Sequence, residues 1–166
     1  MSRLLALLGY KNVQSFDIRP DTGYGEPNVD FLKTTDLEAD WVISNPPFDL
    51  AEDFVRHALT ISGNVALLLK VTYFSAVSRS ALRNETKPAE RLNLLWRLAF
   101  LEHERGNSPI METMWVVWRE GYAQDFIMDR ELHRPAVCEL PLVLRVWSSI
   151  ERVQHFLAEA VDVRLL

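Results

Sequence analysis

The 166-residue chain is 48% hydrophobic and 25% charged, the make-up of a single globular domain with a real core, not of a disordered or fibrous segment. Its net charge of −5 counts against a dedicated nucleic-acid binder, which is ordinarily basic on at least one face. A single cysteine, Cys138, excludes a disulfide framework or a cysteine-rich zinc site and fits a reducing, cytoplasmic compartment, and no apolar run reaches the roughly 18 residues that a membrane span needs.

Residues 2–8 place Leu4, Leu5 and Leu8 on one helical face, and Gly9 follows where a left-handed cap is favoured. This start lacks the length and cleavage site of a signal peptide. Residues 12–18 alternate apolar and polar side chains and predict a strand ending at an acidic residue, Asp17. Residues 19–27, rich in Gly, Pro and Asp, predict a loop, and 29–32 a short apolar segment. Trp41-Val42-Ile43-Ser44 is a continuous apolar run of the kind buried on both faces of a parallel sheet. After Pro46-Pro47, the residues Leu50, Phe54, Val55, Ala58 and Leu59 recur at helical spacing, with Asp49 placed to cap the helix. Gly63-Asn64 ends that helix and residues 65–71 predict a second buried strand, so the unit is a βαβ crossover in a partly parallel sheet.

Residues 74–83 predict another helix and 84–90 a loop. Residues 92–98 and 114–118 predict a terminal antiparallel strand pair joined through 103–110. Ser148-Ser149-Ile150-Glu151 offers a capping box for a last helix with Ile150, Val153, Phe156, Leu157 and Ala160 on its apolar side. No repeat or low-complexity segment is present, and residues 122–141 predict no regular element. The expected organisation is an α/β domain over 1–120 and a C-terminal extension, 121–166, whose helix packs on the same domain. Arg79, Arg83, Lys87, Arg91 and Arg97 are candidates for a local basic patch, weighed against an ordinary solvated surface.

The segment Asn45-Pro46-Pro47-Phe48 carries the chemistry. The exocyclic amine of adenine is a poor nucleophile because its lone pair is delocalised into the ring. An enzyme that alkylates it needs acceptors for the two amine protons and a stacking face for a base taken out of the duplex. The Asn45 side-chain oxygen and the Pro46 carbonyl are such acceptors, Pro46 and Pro47 hold the turn rigid, and Phe48 offers the face. Beyond the carboxyl end of a buried strand is also where open α/β sheets bind ligands. A tetrapeptide of this kind arises by chance in well under about one chain in a hundred of this length.

Residues 41–59, WVISNPPFDLAEDFVRHAL, resemble motif IV and the following helix of class I S-adenosylmethionine (SAM)-dependent N6-adenine DNA methyltransferases, especially small phage- or prophage-type ones. That resemblance implies a Rossmann-like, mostly parallel sheet. Phe16-Asp17-Ile18 resembles the family's second strand, whose acidic end holds the ribose hydroxyls of SAM. Val29-Asp30-Phe31-Leu32 resembles the segment that reads the adenine of SAM, Asp30 accepting from the ring amine and Phe31 packing on the ring. The implied catalytic set is Asn45, Pro46, Pro47 and Phe48, and the implied cofactor set is Asp17, Ile18, Asp30, Phe31 and Asn45, with no metal. Residues 97–100 and 113–118 look like the family's last strand pair. The likeness covers about residues 1–120, and SAM and an adenine in DNA are its implied cofactor and partner.

The family's first strand and Gly-rich turn have no counterpart in the sequence. In this fold that strand lies centrally, so its loss would leave two inner edges unpaired. Three explanations stand: the chain begins at an internal Met, a partner chain or second copy supplies the strand, or a later segment fills the slot, with 161–166 and 137–146 apolar enough to do so. The first is the expectation. No segment beyond residue 120 is basic or long enough for target recognition, which leaves specificity to loops or a partner. Methylation of a protein glutamine or an RNA base, and a catalytically inactive accessory module, are the alternatives.

Overall fold

A computed structural model of the chain describes residues 5–6, 9–23, 25–98, 111–122, 126–132 and the backbone of 163–165. Among them, β1 (Val13–Ser15), β2 (Trp41–Ser44), β3 (Val65–Lys70), β4 (Glu90–Leu94), β5 (Thr113–Trp118), β6 (Met128–Leu132) and β7 (Val163–Leu165) build a seven-stranded sheet in the order β1-β7-β2-β3-β5-β4-β6. β1, β7, β2 and β3 run parallel, and β5 is antiparallel to both β3 and β4. β6 pairs parallel with β4 at the far edge. This is the expected mostly parallel α/β sheet with an antiparallel pair.

The continuous apolar runs explain the centre of the sheet. β2 is buried at all four positions and β3 at its first five, because layers cover both faces. Period-two alternation divides the side chains. Ile43, Ala66, Leu68, Trp115 and Val117 face one layer, which also contains Leu5. Val42, Val65, Leu67, Leu69 and Val116 face the other. Onto that second face α1 (Ala51–Ile61) lays Ala51, Val55 and Ala58. Each large side chain fully buried this way contributes about 1.5–3 kcal/mol.

Several local expectations change. Asp49 does not cap α1: the N-cap is Leu50, with no side-chain hydrogen bond. The Pro-Pro turn sets the helix start instead, since the Leu50 N–H donates to the Pro47 carbonyl at 3.1 Å. Glu52 and Asp53 in the first turn complement the helix dipole. At the other end, Ser62 is the C-cap and its hydroxyl donates to the Asp40 carbonyl at 2.9 Å, tying the helix to the entry of β2.

The helix expected over 74–83 is two 3-10 turns, Tyr73–Ser75 and Val77–Arg79, followed by α2 (Ser80–Thr86). The strand expected over 92–98 is shifted to Glu90–Leu94, and the 29–32 segment closes into a 3-10 turn, Phe31–Lys33. β6 lies inside 122–141, where no element was expected. It shows no apolar alternation because four of its five residues are exposed, and its pairing to β4 alone makes it a strand. Of the first expected helix, only residues 5 and 6 are described, both helical. The helix expected after Ser148 and the candidate strand 137–146 lie outside the described residues.

The inner slot beside β2 is not vacant. β7 lies between β1 and β2, with Ser15 and Ile43 both in register with Leu165. The third explanation, a later segment filling the slot, therefore describes this fold, and the inner edges of β1 and β2 are paired. Residues 121–166 accordingly contribute β6 at one edge of the sheet and β7 between β1 and β2. No helix among the described residues is long and apolar enough to cross a membrane.

Candidate functional site

The carboxyl ends of β1 and β2, the two strands that flank β7, open onto a cleft of about 360 Å³. Its walls include Asp17 and Ile18 after β1, Asp30 and Phe31 from the 3-10 turn, and Ser44, Asn45 and Pro47 after β2. All five residues of the expected cofactor set thus meet in one cleft, although they come from three separate segments. Its size lies within the range of small-molecule sites.

The β1 side is shaped by a return loop. Glu26 N–H donates to the Ser15 carbonyl at 2.7 Å, and Asp17 N–H donates to the Glu26 carbonyl at 3.0 Å. Val29 N–H then donates to the Asp17 carbonyl at 3.0 Å, so the loop delivers Asp30 beside Asp17. Gly25 makes this close approach possible. Its φ is +82°, and a Cβ there would stand 2.5 Å from the Ser15 carbonyl oxygen.

Both carboxylates are engaged. Arg19 clamps Asp17 through two side-chain nitrogens, the shorter contact being 2.7 Å, and donates its backbone N–H at 2.9 Å. Hydrogen bonding to this guanidinium, before any other cause, holds the Asp17 carboxyl below the usual carboxylate range. Asp30 accepts from Leu32 N–H at 3.2 Å as the N-cap of the 3-10 turn, and pairs with Lys33 at 2.8 Å. Its pKa is also lowered, first by the Lys33 hydrogen bond. A ligand diol at Asp17 must displace or share Arg19, and surface pairs of this kind give way at small cost.

Phe31 is buried and held from the rear. Its ring lies 5.1 Å from Phe54 and meets His57 edge-on at 4.7 Å, while Thr34 Oγ1 contacts His57 Nε2 at 3.2 Å. The aromatic wall is thereby locked to α1.

The Asn45–Phe48 turn divides. Asn45 and Pro47 are exposed and line the cleft, whereas Pro46 is buried and Phe48 half-buried, both outside its lining. Among the described residues, the Asn45 side chain has no hydrogen-bond partner and the Pro46 carbonyl accepts no backbone bond. Two acceptors therefore remain unused at the end of β2. Phe48 faces away toward β3, where Lys70 Nζ sits 4.9 Å from its ring centroid.

Sequence reasoning missed Arg19, Phe54 and Lys70. Arg19 had a weak signal, two residues beyond a strand-end aspartate, and Lys70 another, the charged end of an apolar run. Phe54 had none, because its approach to Phe31 is a tertiary fact. The five basic residues do not form one patch. Arg79 stacks on Tyr73 at 4.3 Å and Arg97 pairs with Glu112 at 3.0 Å. Arg83, Lys87 and Arg91 line a hollow of about 520 Å³ at the amino end of β4, the end of the sheet opposite Asn45. There Arg91 is already paired with Asp129 at 2.6 Å. No group of metal-binding side chains occurs among the described residues.

No protein-family model and no curated protein matches the chain. Among solved structures it is similar to Thermoplasma acidophilum 1320, with 20% identity, 70% of this chain and 71% of that chain covered, and a TM-score of 0.45. It is also similar to M1.HpyAVI in complex with SAM, at 13% identity over 92% of this chain and 81% of that one, with a TM-score of 0.44. A second M1.HpyAVI structure shares 10% identity over 92% and 91% of the two chains, at a TM-score of 0.39. The order and direction of the strands by themselves define this chain as an α/β sheet protein with its cleft at the parallel strand ends.

Proposed function

We propose that the chain is a SAM-dependent methyltransferase acting on the exocyclic N6 amine of adenine in DNA. The observation that carries this reading is the pair of unused acceptors at the end of β2: the Asn45 amide oxygen, on a residue that lines the cleft with Asp17, Asp30 and Phe31, and the adjoining Pro46 carbonyl.

The residues fit the adenosine half of SAM. Asp17 would serve as an acceptor pair for a ribose diol once Arg19 swings aside, Asp30 in the same cleft would accept from an adenine amine, and Phe31 would supply a rigid aromatic wall. When bound, SAM supplies an electrophilic methyl group. The chain's own part is on the acceptor side: Asn45 and Pro46 would take the two N–H bonds of the target amine and draw its nitrogen out of conjugation. The buried Pro46 and the rigid turn keep these acceptors in place without reorganisation. The departing proton passes to water, since Asn45 is exposed and no general base lines the end of β2 among the described residues.

A second reading, an inactive accessory module, is favoured by one observation. Both cofactor-side carboxylates are already closed by internal ion pairs, Asp17 to Arg19 and Asp30 to Lys33. Calorimetric titration with SAM and a methylation assay on adenine-containing DNA separate the two. The methyltransferase reading expects saturable binding, and a loss of at least about 100-fold in turnover on Asn45→Ala with unchanged folding, because Asn45 is exposed. Absence of SAM binding, or full activity in Asn45→Ala, would sink it. Methylated glutamine or RNA in place of DNA adenine would keep the chemistry and change the substrate.

A further inference from the structure

We propose that Lys70 is a substrate-positioning residue whose ammonium takes a phosphate of the target nucleotide, so that the acceptor is a phosphate-bearing polynucleotide and not an amide side chain. This rests on the adenine reading above and extends it to a residue outside the Asn-Pro-Pro-Phe turn.

Three observations converge on it. First, Lys70 ends β3 and its position is fixed by the sheet: it stands in register with Thr113, and the next residue, Val71, donates its N–H to the Glu112 carbonyl at 3.1 Å. Second, its Nζ lies 4.9 Å from the Phe48 ring centroid while the residue stays exposed. A target base held at Asn45 and Pro46, in the same turn as Phe48, carries its phosphate one sugar away, a span that a side chain as long as lysine covers. Third, Lys70 makes no ion pair among the described residues, in a chain of net charge −5 whose other cations near the strand ends are mostly paired. The Glu112 carboxylate, on the residue whose carbonyl accepts from Val71, is held by Arg97 at 3.0 Å. The cation is thus left without an ion pair beside Phe48, in the turn that carries the proposed amine site, where it favours an anionic phosphate over the neutral amide of a glutamine side chain.

The test uses the whole chain with SAM, an adenine-containing oligonucleotide and unphosphorylated adenosine as acceptors, and oligonucleotide binding by fluorescence anisotropy across a salt series. For Lys70→Met, the oligonucleotide KM should rise about fivefold with kcat held within about twofold, and the slope of log affinity against log salt should fall by about one. Adenosine kinetics should not move, and Lys70→Arg should restore the oligonucleotide KM. Lys11→Met, an exposed change ahead of β1 at the opposite end of the sheet, should behave as wild type. An unchanged KM and salt slope in Lys70→Met overturns the inference, as does a fall in kcat alone, while wild-type methylation of DNA leaves the adenine reading intact. A wild-type chain that methylates a glutamine peptide and no adenine overturns both.

Discussion

Replacing Gly25 by alanine tests whether the return loop builds the cleft. The added Cβ would lie 2.5 Å from the Ser15 carbonyl oxygen and 2.7 Å from its Cβ, and both are held by β1. An alanine at φ +82° also costs about 1 kcal/mol in backbone conformation. Relief of the clash moves the loop away from β1, which breaks the Glu26-to-Ser15 and Asp17-to-Glu26 hydrogen bonds, each worth about 1 kcal/mol. The local loss is therefore about 3 kcal/mol. It falls on the segment that places Asp17 and Asp30, not on the central strands. Amide hydrogen exchange should show Asp17 and Glu26 exchanging about 100-fold faster, with β3 amides protected as before, and SAM affinity should weaken in parallel. Wild-type protection at Asp17 and Glu26 in Gly25→Ala would refute the loop's role. Lost protection with unaltered SAM binding would show that this loop does not hold the cofactor.

Two further outcomes follow from charge placement. Glu90 is 4% exposed and bridges Arg119 and Arg130 at 3.0 Å each, joining β4, β5 and β6, so Glu90→Ala should destabilise the fold by about 1–3 kcal/mol in urea titration. An unchanged midpoint would mean that the bridges contribute nothing net. Because Asp17 titrates below the usual carboxylate range through Arg19, its ion-pair contribution is complete above the unfolded pKa and is lost as pH falls through the lowered folded value. Arg19→Ala should move the Asp17 carboxyl resonance titration upward toward ordinary, in carbon-detected NMR, and a titration curve that stays put would refute the clamp.

The chain's local chemistry was legible in its sequence where one element sufficed. The buried strands at 41–44 and 65–70, the helix between them and the antiparallel partner at 113–118 follow from apolar runs and period, which report burial directly. The Asn45–Phe48 turn is legible for the same reason, since two prolines and a strand end are local facts. Likewise Asp17, Asp30 and Phe31 could be named, but their meeting in one cleft depends on the loop hydrogen bonds to Ser15 and Asp17. Only the tertiary structure decided the rest. β6 is a strand because β4 offers it an edge, Phe48 turns to Lys70 because β3 ends beside it, and Asp17 is clamped because Arg19 folds back. Above all, β7 takes the inner slot between β1 and β2, a place left open by sequence order and filled because unpaired inner backbone is costly. Strand pairing of this kind links residues as distant as 13 and 163, and no local pattern in either segment records its partner.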